Sequence, residues 1–166
     1  MYIFLYCRSW RYKFCPKIAL NLPLYFIVKK GAFLYDESMK DTYSFYNPNP
    51  RGKRVIDCTI RAIAKATDQS WDDVYTQMFL KGFEMKDMPA SNAVWSAYLI
   101  DNGFSRHAIP DTCPNCYTIR DFAQDNPVGT FVLGTGSHAV CVQDGVYYDT
   151  WDSGDEMPIY YFRKES

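Results

Sequence analysis

The sequence predicts an α+β fold in which a cysteine-bearing helix and further helices pack on a C-terminal antiparallel sheet. Three observations carry this expectation. Apolar residues recur at helical spacing in separate segments between Asp57 and Gly103. From Gly129 onward they fall instead into short strand-like runs. Two of those runs flank Asp144-Gly145, a dipeptide that tolerates the positive φ angles of a two-residue hairpin turn. Helices first and strands afterwards is the α+β order. At 166 residues, 48% of them hydrophobic and 22% charged, the chain suits one domain with at most an appendage.

The appendage comes first. Residues 1–38 are rich in aromatics such as Tyr2, Phe4, Trp10 and Phe14 and carry Arg8, Arg11, Lys13, Lys17, Lys29 and Lys30 against only Asp36 and Glu37, whereas the remainder is acidic. The apolar run Ile18–Val28 contains a proline and is far shorter than the roughly 20 residues that span a bilayer. No small-residue cleavage site follows it, so it does not read as a secretory signal. A short strand or a membrane-surface segment are open readings of that run; we expect residues 1–38 to be an atypical extension, with Met39 as the start of the protein and 39–166 as the domain. Intact mass of the natively expressed protein checks this.

From Tyr43 to Arg54 the chain reads as an extended loop with turn chemistry at Asn47-Pro-Asn-Pro-Arg-Gly52. Asp57 is a good N-cap for a helix that buries Ile60, Ile63, Ala64 and Thr67. That puts Cys58 in the first turn, where backbone N–H groups and the helix dipole favour a thiolate. Asp57 works against ionisation unless its charge is engaged by the cap, and Cys58 as a small apolar filler is the competing reading. Ser70-Trp-Asp-Asp73 resembles a capping box for a second helix with an apolar stripe of Trp71, Val74, Tyr75, Met78 and Phe79, ending near Gly82. A third helix runs from about Ser91 to Asn102, buries Val94, Trp95, Tyr98 and Leu99, and is closed by Gly103. Thr118 caps a short helix reaching Asp125; Gly129–Gly134 and Pro158–Arg163 read as strands.

Between these strands lies the most informative stretch. The Asp144-Gly145 turn joins strands at 138–143 and 146–151 and sets Gln143 opposite Val146; counting outward pairs Val140 with Asp149 and His138 with Trp151. Paired residues share a face, and faces repeat every second residue. His138 and Asp149 therefore lie together. An imidazole beside a carboxylate is the orienting half of a catalytic triad, because the carboxylate fixes the tautomer and stabilises the imidazolium. A packed, hydrogen-bonded histidine is the alternative. His107, beside Arg106 after the third helix, is the only other base in the chain and is expected to be exposed.

Net charge near −1 gives no reason to expect nucleic acid or an anionic membrane surface as a partner. Six cysteines without a secretory signal favour reduced thiols in a cytoplasm. Cys113-Pro-Asn-Cys116 is open to three readings: half a zinc site, a redox pair, or ordinary loop thiols. Structural zinc needs four ligands, and the sequence supplies no second pair, so these two are weak metal candidates. No nucleotide-binding motif appears, and no cofactor is expected.

A cysteine opening the first helix, then further helices, then a strand beginning with His beside a strand carrying Asp: this order resembles the papain-like cysteine peptidases. Ser137-His-Ala-Val140 is similar to that family's histidine strand, and Asp149-Thr-Trp151 to its Asn-Ser-Trp, where a shielding Trp follows the third triad member. Residues 43–166 also resemble small proteins of bacteriophages and prophages that share an Asp-Cys-(Thr/Val)-x-Arg-Ala-Ile start and a Tyr-Asp-(Thr/Ser)-Trp-Asp-Ser end. The resemblance implies a papain-like fold with Cys58 as nucleophile, His138 as general base and Asp149 as orienter, Trp151 as the shielding aromatic, and Asp152 as a rival orienter. It implies a thioester intermediate in cleavage of a peptide or isopeptide bond in a peptide or protein substrate, or acyl transfer of the transglutaminase or deamidase kind. A phage origin implies the cytoplasm of a bacterial host. The family's oxyanion-donating Gln is missing, its place falling at Gly52, which leaves Asn47 or Asn49 as substitute amides beside the Cys58 N–H. Two other classes remain: an inactive papain-like scaffold binding a host or phage protein, and a zinc- or thiol-dependent interaction protein built on Cys113 and Cys116.

Overall fold

A computed structural model describes residues 42–165; the expected extension and the start at Met39 lie outside the described residues. Among the described residues there are four helices and six strands: β1 (Tyr43–Phe45), α1 (Cys58–Thr67), α2 (Trp71–Met85), α3 (Asn92–Asp101), β2 (Phe104–Ala108), α4 (Ile119–Asp125), β3 (Thr130–Gly134), β4 (Ala139–Gln143), β5 (Val146–Asp149) and β6 (Tyr160–Lys164). The fold is α+β. The strands form one sheet in the order β1-β5-β4-β3-β6-β2.

The sheet is mixed, which corrects the purely antiparallel expectation. Four of its pairings are antiparallel, but β1 runs parallel to β5, with Tyr43 beside Tyr147 and Phe45 beside Asp149. The segment expected as loop from Tyr43 thus opens with a strand, too short to show a period and paired with a partner a hundred residues away. β2 was also unforeseen. Of Phe-Ser-Arg-His-Ala only Phe104 is buried, because β2 is an edge strand whose polar side chains face water.

Alternation along the strands feeds two cores. Val132, Ala139, Cys141, Tyr160 and Phe162 pack with α1, α2 and α3 on one face of the sheet. Phe131, Leu133, Val140, Val142 and Tyr147 pack with Ile119, Phe122 and Ala123 of α4 on the other. Covered on both sides, β4 is buried from Ala139 to Val142, the continuous apolar run that double burial requires.

The helix signals act mostly as read. Ser70 and Ser91 accept hydrogen bonds from the backbone N–H groups of Asp73 and Val94, and Thr118 forms a full capping box with Asp121. α2 differs in two ways. It continues past Gly82 to Met85, because Gly82 serves close packing: a Cβ there would stand 2.7 Å from the Asp87 carbonyl oxygen. Its buried seam is Val74, Met78 and Gly82, while Tyr75 and Phe79 are half exposed, since α2 rests mainly on α1 and α3 along a narrow line.

The β4–β5 hairpin forms in the expected register, with Gln143 opposite Val146 and Val142 opposite Tyr147. Asp144 and Gly145 have φ angles of 52° and 81°, as a two-residue turn between twisted strands demands. No helix among the described residues is long and apolar enough to cross a membrane.

Candidate active site at the start of α1

The parallel pairing of β1 with β5 determines where α1 begins. The chain leaves β1 at Phe45, level with Asp149 at the end of β5, and after the 46–57 connection it enters α1 at Cys58. His138 precedes β4 by one residue, on the strand paired with β5. Cys58, His138 and Asp149 therefore converge at one end of the sheet.

Each is held from behind. The Thr135-Gly-Ser-His138 turn is closed by Thr135, whose N–H donates to the His138 carbonyl at 2.9 Å and whose hydroxyl accepts the His138 N–H at 3.0 Å. The imidazole Nε2 lies 2.5 Å from Asp149 Oδ2. Asp149 is buried, and its Oδ1 accepts the Thr150 N–H at 2.7 Å and faces Arg61 of α1 at 3.2 Å. With Nε2 engaged, Nδ1 is the ring nitrogen left for the Cys58 thiol. The exposed Trp151 stands beside the imidazole, ring centres 5.6 Å apart.

Asp57 does not cap α1 with its side chain. This corrects the cap expectation. Its buried carboxylate pairs with the Arg61 guanidinium one turn on and accepts the Trp71 Nε1–H at 2.9 Å. Two consequences follow. The negative charge beside Cys58 is neutralised by Arg61, and the first-turn N–H groups are left uncapped by Asp57, so they face whatever anion forms at the helix start.

The charges order themselves accordingly. Burial pushes the Cys58 thiol up, but a hydrogen bond with His138, the backbone N–H of Ala139 and the His138 and Arg61 charges outweigh it, leaving Cys58 below the usual thiol range. Burial pulls His138 down, yet its bonds to Asp149 and Cys58 lift it to about 9. Asp149 is held below the usual carboxylate range: His138, by hydrogen bond and by charge, overcomes the upward push of burial. The shifts on Cys58 and His138 both favour the charged pair, thiolate and imidazolium, with Asp149 as carboxylate.

The remaining candidates are placed elsewhere. Asn47 donates its amide to the Lys53 carbonyl at 3.3 Å and accepts the Asn49 N–H; Asn49 accepts the N–H groups of Arg51 and Lys53. In these bonds both asparagines serve their own loop. Asp152 is engaged by Arg120 at 3.2 Å and by the Tyr147 hydroxyl, not by His138, so the rival orienter drops out. His107 is on β2, the far edge of the sheet, stacked on Tyr161 and facing Ser105. Cys113 is exposed, and its neighbour Asp111 raises its thiol above the ordinary range. Among the described residues no group of three or more His, Cys, Asp or Glu is arranged to hold a metal ion.

Sequence reading missed Arg61. The signal was present: a cationic residue four positions after Asp57, on a helix whose neighbouring positions are apolar.

The chain matches no protein-family model, no curated protein and no solved structure.

Proposed function

We propose that the protein is a papain-like cysteine hydrolase that cleaves a peptide or isopeptide bond through a thioester on Cys58. The observation that carries the reading is the unbroken chain from thiol to imidazole to buried carboxylate, with His138 bound to Asp149 at 2.5 Å and its pKa raised while that of Cys58 is lowered. The order of parts supports the papain-like assignment: nucleophile at the start of the first helix, base at the start of one strand, orienter at the end of its hairpin partner.

The chemistry follows from which nitrogen faces which group. The Cys58 thiolate attacks the acyl carbon, and the carbonyl oxygen becomes an oxyanion that the Cys58 N–H stabilises. His138 gives its Nδ1 proton to the departing amine as the C–N bond breaks, leaving a thioester. Asp149 keeps the other proton on Nε2, so neutral His138 presents an Nδ1 lone pair. That lone pair takes a proton from water as it attacks the thioester; the acid leaves, and the Cys58–His138 ion pair is restored. An amine in place of water gives the transglutaminase outcome from the same residues.

One observation favours a second reading, an inactive scaffold that binds a host or phage protein. The Asn47 amide donates within its own loop, to the Lys53 carbonyl, which takes one expected donor away from the oxyanion, and loss of such a donor typically costs ~10²–10³ in rate. Alkylation separates the readings. Iodoacetamide near pH 6 is expected to modify wild-type Cys58 rapidly and His138→Ala slowly, since an ordinary thiol with pKa about 8.5 is almost unreactive there. A peptidyl vinyl sulfone should then add its mass to Cys58. A Cys58 inert in both proteins sinks the hydrolase reading.

A further inference from the structure

We infer that Arg61 is a positioning residue of this site, holding the Asp149 carboxylate in the rotation that orients His138. The inference rests on the Cys58 reading above and goes beyond it.

Arg61 is nearly as buried as the apolar residues around it, with 7% of its side chain exposed. Its guanidinium reaches in two directions. One terminal nitrogen pairs with Asp57 and approaches the Val55 carbonyl at 3.5 Å; the other meets Asp149 Oδ1 at 3.2 Å. Nε has no partner although it is buried. The side chain is thus arranged around two carboxylates, at the expense of its own full satisfaction.

A buried ion pair seldom adds net stability over well-packed apolar residues, because desolvating the charges consumes the Coulombic gain. Stability alone is therefore a weak reason for an arginine in the middle of an apolar helix. Asp149 supplies a better one. A carboxylate holding only one partner can turn about its χ2 bond, and its grip on Nε2 turns with it. Here Oδ2 is on His138 while Oδ1 is clamped by Arg61 and the Thr150 N–H, which fixes the plane of the carboxylate and hence of the imidazole. The same guanidinium ties α1, and so Cys58, to the end of β5. The charged groups facing Arg61 are Asp57 at the start of α1 and Asp149 of β5, and its charge also acts on Cys58; Lys65, one turn on, lies 4.2 Å over the Tyr148 ring.

The test reads the pH profile of Cys58 alkylation between pH 5 and 9 by mass spectrometry, with circular dichroism as the check on folding. Arg61→Met should raise the pH at which Cys58 becomes reactive and slow it at least tenfold at pH 6. Arg61→Lys keeps the charge without the planar fork and should fall between. Asp57→Asn/Arg61→Met removes the other carboxylate that Arg61 neutralises, so it folds without an orphan charge and carries the same readout if Arg61→Met alone does not fold. Because Arg61 acts through Asp149, this double variant should stay slow. A folded Arg61→Met with the wild-type profile, or full recovery in the double variant, overturns the inference; an inert wild-type Cys58 instead overturns the hydrolase reading on which it rests.

Discussion

Cys58 and Cys141 touch the same core cluster and have opposite chemistry. Cys141 sits in the middle of β4 with no exposure, and burial, the largest influence on it, pushes its thiol to about 12. Cys58 is half-buried at the end of the sheet, and burial pushes it up as well, but the hydrogen bond with His138, the backbone N–H of Ala139 and the His138 and Arg61 charges reverse the sign. Withdrawal from water makes a thiol inert or nucleophilic according to what replaces the water. In the middle of its strand Cys141 has the Lys65 charge acting on it, but that charge does not offset burial. The end of the sheet offers uncapped amides and charged side chains, surroundings that favour a thiolate.

The comparison can be broken most easily by rates. In the native protein at pH 6, Cys58 should alkylate more than ~10² times faster than Cys141, given how steeply thiolate content follows pKa and access; equal rates by mass spectrometry would erase the distinction. Next in size, His138→Ala should slow Cys58 by about 10–100-fold at pH 6 and leave Cys141 unchanged, because the imidazolium is the main favourable influence at one site and absent from the other.

Stability should show the reverse asymmetry. Cys141→Ser buries a hydroxyl among apolar side chains and is expected to cost about 1–3 kcal/mol in urea unfolding, with no change in Cys58 reactivity. The smallest effect is the most specific. The raised His138 pKa adds stability that is full below about 6.5 and lost as pH rises through about 9. The lowered Cys58 pKa adds stability that is full above about 8.5 and lost as pH falls through its folded value. Where the two windows overlap the slopes oppose each other, since folding there takes a proton from sulfur and gives one to imidazole. Cys58→Ser removes one slope, so its stability should decline relative to wild type across that window, as measured by melting temperature against pH. Parallel curves would mean that no ion pair forms.

What could be read from the chain follows the range of the forces involved. The hairpin register, the capping residues Ser70, Ser91 and Thr118, and the Cys58 position are local, written within a few residues of where they act. Hence His138 and Asp149 could be placed together from the sequence. β1 and β2 depend on partners far along the chain, β1 being three residues long and β2 having one buried side chain, so neither carries a pattern of its own. Tyr75 and Phe79 were expected inside because helical spacing shows that a stripe exists, not how wide a surface it meets. Asp57 misled for a related reason: cap and ion pair are alternative uses of one carboxylate, and Arg61 and Trp71 together outcompete the helix N–H groups for it.

The distance along the chain between the two halves of the site has a biosynthetic meaning. Arg61 and Asp149 are 88 residues apart, and a ribosome makes Cys58 long before it makes either His138 or Asp149. Until the hairpin is complete, the emerging cysteine is an ordinary thiol beside an aspartate. On the proposed function, the reactive form would arise only once His138 and Asp149 are in place, and the order of translation would keep the nascent chain from its own nucleophile.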